Sequence, residues 1–171
     1  LQVVKGYSAI KTGVIFTAAT AGILASSLAQ QRLARRRSQR ALIRAGFVVT
    51  LIGIGLLLGL YKITSSIWVF APGLLAMGLG VGLMLTPSVN VVQSAFPEEK
   101  QGEISGLSRA VSNLGSSLGT AIAGTIVVAD VSSGNTSYAA AMIVLGGIGL
   151  IGLFVSILIP PVPGEPTDPT R

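Results

Sequence analysis

The sequence predicts an all-α integral membrane protein with about five transmembrane helices, and three features of its composition lead to that prediction. Only 11% of the 171 residues are charged, whereas a soluble domain carries about 25%. Half of the residues are hydrophobic, and the mean hydropathy is +0.75. The apolar residues also fall in blocks of about 20, which is long enough to cross a hydrocarbon core of roughly 30 Å.

Five apolar segments are predicted to cross the membrane. They cover approximately residues 7–29, 41–60, 66–96, 103–131 and 137–159, and with their turns they make residues 1–159 one predicted bundle. Helices are predicted because runs such as 48–60 lack the alternating hydrophobicity of barrel strands. A straight helix over the third segment would be roughly 46 Å long, so tilt, protrusion or a bend must absorb the excess. Pro87 is the predicted bend, because proline removes one helical hydrogen bond.

The basic residues are divided unequally between the two ends of this bundle. One end carries Arg32, Arg35, Arg36, Arg37, Arg40, Arg44, Lys100 and Arg171, and the other carries Lys5, Lys11 and Lys62. Cytoplasmic loops collect positive charge, so the sequence predicts that the first helix enters from outside and that the C-terminus is cytoplasmic.

The two ends of the chain carry further expectations. Residues 160–171 contain five prolines, which predicts a disordered cytoplasmic tail. The chain starts with leucine and shows no signal-peptide pattern. An odd number of spans with an external start also suggests further helices upstream, so Leu1 is expected to lie inside a longer polypeptide.

Six of the twelve basic residues lie between Arg32 and Arg44. Arg32, Arg35, Arg36, Arg37 and Arg40 form the predicted cytoplasmic basic loop. We interpret this loop as a topology signal with some contact to anionic lipid. Nucleic-acid binding is the alternative; it is not favoured, because the loop has no interleaved aromatic residues and is held between two spans.

Histidine and cysteine are both absent from the sequence. The chain therefore lacks the commonest general base and the commonest metal ligand, and it cannot form a disulfide or a cysteine-ligated metal site. No Ser–Lys or paired-carboxylate arrangement stands out for covalent catalysis. We expect no enzyme activity, no catalytic residue and no metal site.

The fourth segment carries two stripes of small and polar residues at helical spacing. One stripe holds Ser105, Arg109, Ser112, Ser116 and Thr120, and its neighbour holds Gly106, Ala110, Asn113, Ser117, Ala121 and Gly124. The opposite side is apolar, so the polar side suits close helix packing or a watery cavity. Arg109 either serves in such a cavity or extends to the cytoplasmic surface.

The third segment has a similar stripe, consisting of Gly82, Thr86, Asn90 and Gln93. It either lines a pathway or forms hydrogen bonds between helices. Asp130 is the only carboxylate near a helix interior, and it is either a titratable group within the membrane or an aspartate at a helix end. Glycines of the second and fifth segments are interpreted as packing residues: Gly53, Gly55, Gly59, Gly146, Gly147, Gly149 and Gly152.

These residues resemble the C-terminal part of a major facilitator superfamily transporter, most closely the 14-helix drug:proton antiporters. Residues 1–13, with Gly6-Tyr7-Ser8, resemble the external turn before the tenth helix of that family. Residues 33–40 resemble the second copy of its basic loop motif, with Arg35 and Ser38 where the motif has aspartate and glycine. The strongest likeness is a spaced set: Pro87, Pro97, Gly102, Ser105-Gly106, Asn113, Gly115, Gly119, Ala121 and Gly124-Thr125.

The resemblance implies that the five spans correspond to helices 10 to 14, most of the C-terminal half of the fold. Members of this superfamily rock two halves around a central site. The implied substrate-cavity candidates are Thr86, Asn90, Arg109 and Asn113. The implied function is proton-coupled export of drugs or other small molecules across the cell membrane, with the proton gradient as energy source and no cofactor.

The implied partners are the lipid bilayer, the N-terminal half of the same carrier and a small-molecule substrate, with no nucleic acid. Two other functions remain open from the residues alone. One is a superfamily importer of sugars or metabolites, and the other is a membrane scaffold protein that does not transport.

Overall fold

The computed structural model describes residues 8–34, 37–61, 67–129 and 135–159, and within these ranges it contains helices and no strand. The helices are α1 (Ala9–Leu33), α2 (Gln39–Tyr61), α3 (Ala71–Ser94), α4 (Gln101–Ala129) and α5 (Asn135–Ile157). Short 3-10 turns, Ile67–Phe70 and Glu98–Lys100, precede α3 and α4. All five helices are long and apolar enough to cross a membrane, so the predicted all-α class with five spans is confirmed.

Several sequence predictions concern residues that are not among those described. The proposed disordered tail 160–171 lies outside these ranges. The same is true of Lys5, Arg35, Arg36, Lys62, Asp130 and Arg171.

Helix α3 is the centre of the packed part of the bundle, because it lies against both α1 and α2. Its backbone contacts both neighbours directly. A Cβ atom added to Gly22 of α1 would lie 2.5 Å from the carbonyl oxygen of Leu75, and one added to Gly46 of α2 would lie 2.7 Å from that of Gly80. Glycine at these positions allows the close approach by which membrane helices gain van der Waals contact.

The third predicted segment is not one long helix. Its first part is the 3-10 turn Ile67–Phe70, and α3 begins at Ala71 with Pro72 in its first turn. Proline is tolerated at that position, because the first N–H groups of a helix have no partner within it. The remaining 24 residues of α3 span roughly 36 Å, which removes part of the excess length. Pro87 is buried inside a continuous α3, and the bend there stays a prediction.

An apolar cluster closes the end of the bundle that carries Lys11. It consists of Ile15, Leu57, Phe70 and Leu74, and Phe70 is only 1% exposed. These side chains come from α1, α2, α3 and the 3-10 turn. Tyr138 and Met142 of α5 pack against them, so four of the five helices meet at this cluster.

Helix α5 packs on α2 along its second half. A Cβ atom at Gly149 would lie 3.0 Å from Leu51, and one at Gly152 would lie 2.5 Å from the Phe47 ring. The packing interpretation of the glycines therefore holds at Gly53, which lies against Met77, and at these two positions. Among the described residues, the packing interpretation is wrong for Gly55, Gly59 and Gly147, because nothing lies within 4 Å of a Cβ atom added there. Gly146 has only a loose contact, with Ile54 at 3.7 Å.

Helix α4 is packed much less than the others. It contacts α5 and, near its start, the end of α3. Within residues 101–128 only Ile104 is buried. The polar and the apolar sides of α4 are therefore both open in this chain.

Candidate functional site

The polar stripe of α3 meets the polar stripe of α4 at the end of the bundle where the two helices are joined. The side chain of Gln93 donates from Nε2 to the hydroxyl of Ser105 at 2.8 Å. This bond connects residues twelve positions apart across the turn. It turns the Ser105 side of α4 toward the α3 stripe.

The turn itself is held by a second amide. Gln101 donates from Nε2 to the carbonyl oxygens of Gln93 at 3.0 Å and Phe96 at 3.3 Å. These oxygens lie at and just after the end of α3, where carbonyl groups lack partners within the helix. Gln93 is thus an acceptor through its backbone and a donor through its side chain. The hydrogen bonds from Gln93 and Gln101 together fix the orientation of the start of α4 relative to the end of α3.

Arg109 follows Ser105 by four residues and therefore lies on the same side of α4, one turn farther along the helix. Its side chain is exposed. Asn113 is one further turn away and is also exposed. The structure thus aligns a hydroxyl, a guanidinium and an amide along one side of α4.

Thr86 and Asn90 are exposed on α3, in the two turns before Gln93. The four cavity candidates, Thr86, Asn90, Arg109 and Asn113, are therefore all on open surface, and the described residues do not enclose them. The Gln93–Ser105 bond joins the two stripes at one end only. The residue roles predicted for these four side chains stay predictions.

The chemistry of this surface is that of hydrogen bonding and one positive charge. Amides, hydroxyls and the Arg109 guanidinium are able to bind polar or anionic groups. Within the described ranges, no group of three or more His, Cys, Asp or Glu residues is placed to hold a metal ion. The surface is suited to holding a polar or anionic ligand.

The predicted basic loop forms the turn between α1 and α2. Arg32 is exposed in the last turn of α1, and Arg37 is exposed just before α2. Ser38 is buried and accepts a hydrogen bond from the Ala41 N–H at 3.2 Å, which caps the start of α2. Arg40 is half-buried in the first turn of α2.

The partners in two contacts at this end were not predicted from the sequence. Arg44 donates to the carbonyl oxygens of Ser156, at 3.5 Å, and Ile157, at 3.2 Å, which end α5. The other contact is the Gln93–Ser105 bond. Gln93 and Ser105 each belonged to a predicted polar stripe, and hydrogen bonding between helices was one of the two interpretations given to the α3 stripe. Neither partner was identifiable without the packing of α2 on α5 and of α3 on α4.

Together, five apolar helices and a polar surface on two of them define a multi-pass helical membrane protein. The family model of the Major Facilitator Superfamily matches residues 2–171. The chain belongs to the Major Facilitator Superfamily, a family of membrane transporters rather than enzymes.

Two drug-resistance proteins are similar to parts of this chain. Multidrug resistance protein Stp of Mycobacterium tuberculosis is 32% identical over 133 residues, which are 78% of this chain and 24% of Stp. Quinolone resistance protein NorB of Staphylococcus aureus is 36% identical over 92 residues, which are 52% of this chain and 20% of NorB. The chain thus matches about a quarter or less of the length of these curated relatives. No solved structure matches it significantly.

The predicted superfamily membership is confirmed by the family match. The two resistance proteins agree with the 14-helix drug:proton antiporter type that the sequence resembles.

Proposed function

We propose that this chain is the C-terminal part of a proton-coupled exporter of drugs or other small molecules, which works by alternating access. The observation that carries the proposal is the open polar surface formed by α3 and α4 in a chain that belongs to a transporter superfamily. The names of Stp and NorB describe resistance to multiple drugs and to quinolones, which supports export over import.

In this proposal, α3 and α4 line one side of the substrate path. Thr86 and Asn90 on α3, and Arg109 and Asn113 on α4, contact the substrate in at least one of the two access states. A polar surface of this kind is costly against lipid, whereas it is solvated in a watery cavity between two halves of a carrier.

The proton-carrying group is proposed to lie in the remaining part of the carrier. The first acidic residue of this chain is Glu98, so α1, α2 and α3 contain no carboxylate. Glu98, Glu99 and Glu103 lie in the turn before α4 and in its first turn, and all three are exposed. The proton gradient would then act through acids of the N-terminal half, without a cofactor.

The proposed location is the cell membrane with a cytoplasmic C-terminus. The basic turn between α1 and α2 supports this orientation, because positively charged loops stay on the cytoplasmic side. Arg44, Lys100 and the basic turn all lie at the same end of the bundle, since α2 begins there and α3 ends there.

The test compares two leucine substitutions on α4 in the intact carrier. Asn113→Leu removes a polar group from the proposed path and is expected to lower drug efflux about tenfold, which corresponds to roughly 1.4 kcal/mol of lost interaction. Val111→Leu is the matched control, since it enlarges an exposed apolar side chain of α4 without changing polarity. Efflux of a fluorescent quinolone is measured in cells with equal amounts of each variant in the membrane.

Equal efflux by Asn113→Leu and the unsubstituted carrier would remove Asn113 from the substrate path. The direction of transport and its coupling to protons are tested separately, in everted vesicles energised by a proton gradient. Substrate accumulation there supports proton-coupled export, and gradient-dependent uptake by right-side-out vesicles would favour an importer instead. Absence of transport in both would leave the scaffold function.

A further inference from the structure

The turn between α1 and α2, residues 32–40, contains five arginines and no acidic residue. Its described arginines are Arg32, Arg37 and Arg40, and Arg35 and Arg36 lie outside the described residues. No aspartate or glutamate precedes Glu98 in the sequence. The described part of this turn therefore carries no acidic side chain, and its exposed arginines are complementary to an anion.

The structure separates the arginines of this region into two kinds. Arg44 is half-buried, and its guanidinium donates to the last carbonyl groups of α5. Cations stabilise a helix C-terminus in this way. Arg32 and Arg37 are exposed. Arg44 thus holds α2 to the end of α5, whereas Arg32 and Arg37 are accessible to an external ligand.

The position of Arg32 and Arg37 matches the headgroup level of a membrane. The apolar spans on either side are Ala9–Gln30 and Gln39–Leu60. Arg32 therefore lies two residues after one span, and Arg37 lies two residues before the next. Basic residues this close to the hydrocarbon boundary attract anionic headgroups.

The α1 surface next to Arg32 is apolar and open. Leu24 and Leu28 are 61% and 71% exposed, and with Arg32 they follow the four-residue spacing that places side chains in one row along a helix. An apolar row that ends in a guanidinium at the membrane boundary fits a phospholipid, with an acyl chain along the leucines and a phosphate at the arginine.

We propose that this surface, formed by Leu24, Leu28, Arg32 and Arg37, binds an anionic phospholipid. The phosphate accepts hydrogen bonds from the two guanidinium groups, and an acyl chain packs on the two leucines. This inference goes beyond the proposed function, since it concerns a binding site for lipid and holds for any transported substrate.

The test measures lipid selectivity of the purified, full-length protein. Native mass spectrometry compares retention of phosphatidylglycerol and phosphatidylcholine offered in equal amounts. A basic residue near an anionic surface contributes about fivefold in affinity. Arg32→Gln or Arg37→Gln should therefore each lower the preference for phosphatidylglycerol about fivefold, and the double variant should lower it about thirty-fold.

Lys100→Gln is the matched control. Lys100 is exposed at the same end of the bundle, follows Glu98 and Glu99 directly, and lies outside the basic turn. The proposal expects this variant to keep the preference. An equal loss in Lys100→Gln would show that only the net charge of this end matters, and a preference retained by the double variant would refute the site.

A salt series on the unsubstituted protein gives a second test, in case the double variant inserts with altered topology. Salt screens exposed charges over about 10 Å at 0.1 M, so the preference for phosphatidylglycerol should fall as ionic strength rises. A preference that is absent at low salt, or independent of salt, overturns the proposal and leaves the arginines as a topology signal only.

Discussion

Helices α3 and α4 both carry rows of small and polar residues, yet their surroundings are opposite. The glycines of α3 face the backbones of α1 and α2: Gly78 lies against the carbonyl of Ala19, and Gly80 against Thr50. All five glycines of α4 have nothing within 4 Å of an added Cβ atom: Gly102, Gly106, Gly115, Gly119 and Gly124. A similar composition thus serves packing in α3, whereas in α4 it leaves an open surface.

The comparison shows that a row of small residues does not by itself indicate whether it packs against another helix or forms an open surface. In α3 the glycines are packed inside this chain, because α1 and α2 lie on both sides, whereas Thr86 and Asn90 farther along α3 are exposed. In α4 the same kind of row has no such neighbour among the described residues. This agrees with a chain that matches about a quarter or less of the length of its relatives, and it places the α4 part of the open polar surface on the helix that packs least.

The largest expected effect is that of Gly78→Ala in α3. The added methyl group would meet the carbonyl of Ala19, and backbone cannot move aside as a flexible side chain can. Overpacking of this kind destabilises by about 1–3 kcal/mol. Thermal unfolding of the purified protein should shift to lower temperature. An unchanged transition would show that α1 and α3 are less closely packed than the structure has them.

A smaller effect is expected at the joint between α3 and α4. Hydrogen bonds between membrane helices average about 0.6 kcal/mol, so Gln93→Leu and Ser105→Ala should each destabilise only slightly. A double-mutant cycle isolates the bond itself, with an expected coupling of about 0.6 kcal/mol. Additive effects of the two substitutions would mean that the Gln93–Ser105 bond contributes nothing to holding α4.

No loss of stability is expected for Gly115→Ala, the counterpart of Gly78→Ala on α4. Nothing lies within 4 Å of the added methyl group, and alanine is preferred over glycine inside a helix by about 1 kcal/mol. The thermal unfolding temperature of the chain 1–171 should be unchanged or slightly higher. A marked loss of stability would show that α4 is closely packed after all and would remove the contrast between the two helices.

Much of the fold follows from the sequence, because long apolar blocks in a bilayer leave few alternatives to helices. The start of α3 was less predictable. Residues 67–70 are apolar enough to extend the helix, yet they form a 3-10 turn, and the α-helix starts at Ala71, just before Pro72. Periodicity alone did not separate Gly53, which contacts Met77, from Gly55, two residues later with nothing nearby. That difference depends on which side of α2 faces α3.

The candidate site is less predictable than the fold for a physical reason. The stripe that contains Thr86, Asn90 and Gln93 was identified by spacing, and the structure adds the bond from Gln93 to Ser105. Whether Arg109 and Asn113 line a substrate path depends on what lies opposite α4. Spacing along one helix contains no information about a surface that another segment provides.

The contact between Arg44 and the end of α5 has a consequence for how the protein is made. The two carbonyl groups that accept from Arg44 lie 112 and 113 residues after it in the chain. Helix α2 is therefore synthesised well before these acceptors. The guanidinium of Arg44 lacks these two acceptors until α5 has been synthesised. The contact between α2 and α5 can therefore form only after α3 and α4 have been made, and synthesis that stops before Ile157 leaves it incomplete.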